Sequence, residues 1–231
     1  MTAPLSPDAL ADLPGAPESA LPADVLAQLP ATTPAPPWPT RVEATVWWHR
    51  AAPDAVRALP EGLRGAAGLR VTVGALIRYL DTPVGPYEEV LAVPVLLRSR
   101  GLRVSIPFIA VDSVASVHGG RAHWGLPKAL ARFERAGAGV TAVGDGWRVQ
   151  GTPTAWGPPL PVRLPFSGTQ LPGGVARTAR SSARGRGRLA RVAVEVDSAA
   201  AGEPGSIAGW LRPGRHPGAV LTARLEVGPA V

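Results

Sequence analysis

From residue 38 onward, polar and apolar residues alternate along much of the chain. Arg41–Arg50 (RVEATVWWHR) puts Val42, Ala44, Val46 and Trp48 on one side of an extended backbone, the period-two pattern of a half-buried strand. Leu69–Leu80 and Tyr87–Arg98 are two further strand-like runs, separated by the turn sequence Asp81-Thr82-Pro83-Val84-Gly85-Pro86. Leu102–Val111 follows the Ser99–Gly101 turn. Arg132–Ala136 and Val140–Val149 predict more strand pieces, the second broken by a hairpin turn at Gly144-Asp145-Gly146. Leu189–Val196 and Val220–Val227 complete the series. Helical signals are short: Ser6–Leu13, Pro22–Leu29, Pro53–Leu59 and Asp112–His118. Many short strands and tight turns predict a mainly antiparallel β protein with a few short helices (α+β), a barrel or a sandwich.

Residues 1–37 break that pattern, with proline at 4, 7, 14, 17, 22, 30, 34, 36 and 37. Such spacing forbids a long helix or a central strand, so this stretch reads as a mostly extended leader. The remainder, 38–231, reads as a single domain large enough to bury a core. There are no cysteines, which excludes disulfides and thiolate metal sites. No signal peptide or membrane span is visible, and the default expectation is a cytoplasmic protein.

The net charge of +7 raises the question of a nucleic-acid partner. Much of that charge sits in Arg177–Arg191 (RTARSSARGRGRLAR), six arginines without an interleaved aromatic residue. Lacking stacking platforms, it reads as a solvated loop or a subunit contact and argues against nucleic acid. His49, His118, His123 and His216 show no metal-ligand spacing, so no metal is expected. Trp47, Trp48, Trp147, Trp156 and Trp210 read as core or interface residues.

Candidate chemistry concentrates in Gly119–Glu134 (GGRAHWGLPKALARFE). Among 24 lysines and arginines, Lys128 is the only lysine. Lysine can shed its proton and attack as an amine, whereas arginine stays charged. A second candidate is Glu89, which shares a strand face with Tyr87, Leu91 and Val93. An acid on an otherwise apolar face needs a partner. Glu88 points to the opposite face and reads as solvated.

Gly120, Arg121, Gly125, Pro127 and Lys128 resemble the active-site segment of the acetoacetate decarboxylase family, over a match spanning about residues 38–231. Gly85, Tyr87 and Glu89 resemble a second segment of that family. The resemblance implies a double-sheet, cone-like β-barrel that assembles into homo-oligomers. It implies Lys128 as a Schiff-base lysine, Glu89 as its catalytic companion, and Arg41, Tyr87, Arg121, Trp124 and Pro127 around the substrate. The implied reaction is cofactor-independent decarboxylation of a small β-keto acid. Alternatives are a Schiff-base aldolase or dehydratase acting on a keto acid, and a catalytically silent ligand-binding or assembly protein. Two positions depart from the family pattern: Ala129 replaces a second lysine, and Gly74 falls near the place of a second glutamate. An ordinary lysine is neutral only about 0.04% of the time at pH 7, so the amine is expected to be held uncharged by desolvation or by a nearby positive charge, which Arg41 would supply.

Overall fold

The turn at residues 81–86 shows how local chemistry sets the strand order. The Thr82 hydroxyl donates to Gly85 O (2.6 Å) and accepts from Val84 N–H (3.1 Å), while Gly85 takes φ +85°, which glycine adopts without a Cβ clash. This turn joins β2 (Val71–Asp81) to β3 (Tyr87–Val93), which pair antiparallel. The computed structural model describes residues 3–231.

The other strands are β1 (Trp38–Arg50), β4 (Leu102–Val104), β5 (Phe108–Val111), β6 (Lys128–Leu130), β7 (Arg132–Ala136) and β8 (Gly139–Gly144). Three long strands follow: β9 (Trp147–Gln170), β10 (Arg177–Ser198) and β11 (Gly214–Ala230). The helices are α1 (Pro7–Ala11), α2 (Ala23–Ala27), α3 (Glu61–Arg64) and α4 (Val114–Trp124), with 3-10 turns including Pro17–Ser19 and Pro53–Ala58. The sheet runs β6-β5-β3-β2-β1-β11-β10-β9-β8-β7, and β4 pairs with β9. Among the described residues only β5–β6 and β4–β9 are parallel. The two edge strands, β6 and β7, are separated in the chain by Ala131 alone, so the sheet curls back on itself. Among the described residues no ladder joins those edges. The α+β expectation holds, and the barrel is an open one.

Both faces of the sheet are buried, over different stretches. Val42, Tyr79, Tyr87 and Val111 pack on one face with Val117 of α4. Trp47, Leu76, Val90, Ala92, Phe108, Ala110 and Ala129 pack on the other. β1 serves both: Trp38, Thr40 and Val42 turn inward at its start, and Trp47 is fully buried on the opposite face near its end. The sequence reading left both tryptophans as core or interface residues; Trp47 is core, and Trp48 is 37% exposed. A single alternation cannot describe a strand whose buried face changes along its length.

The arginine-rich stretch is not a loop. Residues 177–191 lie within β10, laddered to β9 on one side and β11 on the other. Pairing on both edges overrides the weak strand propensity of Gly and Ser.

The N-terminal segment is docked on the domain. Leu5 N–H donates to Ala122 O (2.8 Å) and Ala16 N–H to Pro107 O (2.7 Å). Glu18 is buried and accepts from the hydroxyls of Ser198 and Ser206, both at 2.6 Å. Its short helical turns fall where the sequence placed them. Residues 1 and 2 lie outside the described residues.

Candidate active site

The segment around Lys128 begins as helix, since α4 runs to Trp124, past the short helical signal at Asp112–His118. The Ser113 hydroxyl caps α4 by accepting from Ser116 N–H (3.2 Å). The helix ends at Gly125, with φ +67° and its N–H donating to Arg121 O (3.0 Å), while Leu126 N–H reaches Gly120 O (3.1 Å). Pro127 then prevents further helix, and Lys128 opens β6 beside Ile109 of β5. The reversal lays the lysine stem back across α4. A Cβ on Gly120 would stand 2.5 Å from Lys128 Cδ, so only glycine leaves room there.

Lys128 is 4% exposed and its Nζ donates to Glu89 Oε2 (2.7 Å) and to the Ser116 hydroxyl (3.0 Å). Glu89, 2% exposed, accepts at its other oxygen from the Tyr79 hydroxyl (3.0 Å). The Tyr79 and Tyr87 rings stack at 4.3 Å, and the ammonium lies 5.1 Å from the Tyr87 centroid. Burial pulls the lysine pKa down, but the Glu89 carboxylate, helped by Tyr87, outweighs it and the net direction is up. Burial and the Glu89 charge push the Tyr79 phenol well up, so it remains a hydrogen-bond donor. The expectation of an amine uncharged at rest is therefore corrected: the Glu89 partner favours the ammonium form of Lys128.

This pair lies in the wall of an apolar pocket of about 150 Å³. Tyr87, Trp124, Leu126 and Trp38 line it, together with Gln170 and Arg177. Tyr87 and Trp124 thus sit where the sequence put them, Trp124 held by its indole N–H donating to Gly228 O (2.8 Å).

Three predicted substrate contacts are not in the pocket. Arg41 is exposed on the opposite face, since Thr40 and Val42 take the inward positions of β1. It stands in a cross-strand row with Arg224, Arg184 and Arg163. Arg121 is 1% exposed and buried behind the site: it donates to Lys128 O (2.7 Å), Leu10 O (2.5 Å) and Ser19 O (3.1 Å). Burial brings its pKa down to about 10, so it remains charged at neutral pH. Pro127 packs under the N-terminal segment, where a Cβ on Gly15 would come within 2.8 Å of its own Cβ.

Conversely, sequence reasoning missed Tyr79, Ser116 and Arg177. Tyr79 carried a signal, being the directly paired neighbour of Tyr87 across the 81–86 turn. Glu88 faces away from Glu89 as expected but is not merely solvated: Arg135 grips it through two hydrogen bonds (2.8 and 2.6 Å). Ala129 points into the opposite core, so a lysine there would not reach the pocket. Gly74 packs against the Trp47 indole, with no room for a carboxylate. Among the described residues, no group of His, Cys, Asp and Glu is placed to hold a metal ion, and no helix is long and apolar enough to cross a membrane.

Fold and site together define a curled-sheet protein with a buried amine–carboxylate couple opening on an apolar pocket. Residues 26–160, more than half of the chain, match the family model "Acetoacetate decarboxylase (ADC)", and the chain belongs to that family. Among solved structures, it is similar to the enduracididine biosynthesis enzyme MppR complexed with pyruvate. That match has a TM-score of 0.65 and 16% identity, covering 87% of this chain and 91% of that one. It is also similar to acetoacetate decarboxylase from Legionella pneumophila subsp. pneumophila str. Philadelphia 1 (TM-score 0.62, 19% identity, covering 87% and 90%). An acetoacetate decarboxylase-like enzyme from Sphingomonas wittichii RW1 matches with TM-score 0.55 and 15% identity, covering 84% and 91%. At these identities the likeness establishes the fold. No curated protein matches the chain in sequence.

Proposed function

We propose that this protein is a cofactor-independent enzyme that forms a Schiff base between Lys128 and a small keto acid. The observation that carries the reading is the 2.7 Å ion pair of Lys128 and Glu89, buried beside an apolar pocket. At that distance the ammonium proton can pass directly to Glu89, leaving a neutral amine and a neutral acid without net charge leaving the site. In a poorly solvated pocket this exchange removes two buried charges at once, which narrows the gap between the charged and neutral forms.

The neutral amine adds to the ketone carbonyl, and Glu89 returns its proton to the oxygen that departs as water. The resulting iminium is an electron sink. With a β-keto acid, the electrons of the C–C bond to the carboxylate flow into it, CO2 leaves, and the enamine is protonated and hydrolysed. This decarboxylation is the first reading of the reaction. A second is proton removal from the carbon next to the iminium, leading to aldol addition or dehydration. Glu89 favours it, because a carboxylate beside the iminium nitrogen is placed to act as that base.

Assembly into a homo-oligomer belongs to the same proposal, supported by exposed Trp156, Leu160, Leu164 and Leu189 on β9 and β10. Sedimentation velocity tests it, a monomer at all concentrations being the contrary result. The chemistry is tested by borohydride trapping with candidate keto acids and intact-mass readout. A mass gain on Lys128 supports imine formation, and no gain with any keto acid leaves the silent binding protein standing. CO2 release against aldehyde-dependent condensation then separates the two reactions.

A further inference from the structure

The pocket has a charge left over. Lys128 and Glu89 neutralise each other, but a second cation, Arg177, lines the same cavity. Arg177 opens β10 on the same face as Ala179 and Ser181, which also line the pocket. It is 9% exposed, and no acidic side chain lies within ion-pair distance of it among the described residues. Its Nη1 donates to Ala122 O (3.3 Å), near the C-terminal end of α4, where the helix carbonyls favour a positive charge. A guanidinium carries five N–H donors in a planar fork suited to a carboxylate. It shares the pocket lining with Trp38 and Trp124, and the donors it does not spend on Ala122 O are free to take an anion that enters the cavity.

Resting on the imine reading above, we infer that Arg177 anchors the carboxylate of the substrate, and that this carboxylate survives the reaction. The second half follows from charge flow. When a carboxylate leaves as CO2 its negative charge drains into the iminium. A guanidinium paired with that group would therefore hold the ground state more tightly than the transition state and slow the loss. Paired with a carboxylate that stays, the same contact is equal in both states and only positions the ketone against Lys128. The substrate class is thus a short 2-oxo acid, with the retained carboxylate next to the carbonyl that becomes the iminium. Its enamine arises by transfer of a proton from the neighbouring carbon to Glu89, or by loss of a further carboxylate on that carbon.

The test compares wild type with Arg177→Gln and Arg177→Lys, each first checked for a native circular-dichroism melt. Timed borohydride trapping gives half-labelling concentrations for pyruvate, acetoacetate and the neutral ketone hydroxyacetone. In wild type pyruvate labels at a lower concentration than hydroxyacetone. In Arg177→Gln the pyruvate-to-hydroxyacetone ratio moves roughly ten- to hundredfold against pyruvate, the range of a charge-assisted hydrogen bond, and Arg177→Lys recovers part of it. An unchanged ratio overturns the anchor. If Arg177→Gln instead releases CO2 from acetoacetate faster, at weaker acetoacetate labelling, the carboxylate held is the one that leaves, and the retained-carboxylate inference is overturned. Propanoate, a carboxylate without a carbonyl, keeps this separate from the imine reading. Its stabilising shift of the melting temperature in wild type, lost in Arg177→Gln, supports the anchor even where no ketone labels Lys128, and absence of any shift in wild type counts against it.

Discussion

Arg121 and Lys128 stand seven positions apart in one segment, both cationic and both almost fully buried, yet they are satisfied in opposite ways. Arg121 ends in three main-chain carbonyls, from β6 and from the N-terminal segment. Lys128 ends in a carboxylate and a hydroxyl. A carbonyl cannot take up a proton, so the Arg121 charge is fixed and its work is mechanical: it ties β6 and the residues around Leu10 and Ser19 together. A carboxylate can take up a proton, so the charge at Lys128 can be switched off. The difference teaches that burial alone does not mark a reactive cation. The chemistry of its acceptor does.

Substitutions should pull the two apart. The largest effect expected is Lys128→Met, which removes the only lysine and abolishes borohydride trapping with every keto acid. Its stability, read from urea unfolding, falls by about 1–3 kcal/mol, because Glu89 can take up a proton once the ammonium is gone. Arg121→Leu reverses the balance. Three buried carbonyls lose their donor together, and the expected loss in the same unfolding experiment is about 3–5 kcal/mol, with labelling of the remaining folded protein retained. A smaller effect is expected of Gly120→Ala: the added methyl displaces the lysine stem, slowing labelling about tenfold and costing about 1 kcal/mol. If Arg121→Leu proves as stable as wild type while losing all labelling, the division of labour drawn here is wrong.

Much of the site was legible because it is local. Lys128 stood out by being the one lysine, and Glu89 by sharing the parity of Tyr87 on a single strand. The turn at 81–86 announced itself through Pro and Gly. What could not be read depended on which face of a strand is buried and on what the fold brings across it. Arg41 is one position out of phase: its neighbours Thr40 and Val42 point inward, and period two sends it to the far face. Arg177 was hidden in a stretch whose Gly, Ser and Arg content reads as a loop, and only the β9 and β11 ladders make it a strand. Ser116 and the acceptors of Arg121 are set by helix and chain geometry that no spacing in the sequence encodes. The N-terminal prolines rule out a long helix there, whereas the carbonyls that hold the segment, Pro107 O and Ala122 O, are brought to it by the fold.

The central claim is that Glu89 takes the proton of Lys128. Because the lysine pKa is raised, the ion pair persists from neutral pH through the ordinary lysine pKa and is lost as pH climbs through the raised value. Between neutrality and that limit the couple holds the same number of protons, so the fraction in the neutral form is constant. A lone amine behaves otherwise, its neutral fraction rising about tenfold per pH unit below its pKa. The decisive measurement is the initial rate of imine formation from pH 7 to 9, with timed samples quenched in borohydride at one fixed pH, for wild type and Glu89→Gln. The account predicts a flat profile for wild type and a slower, rising one for Glu89→Gln. A wild-type rate that climbs tenfold per pH unit, parallel to the variant, would contradict it.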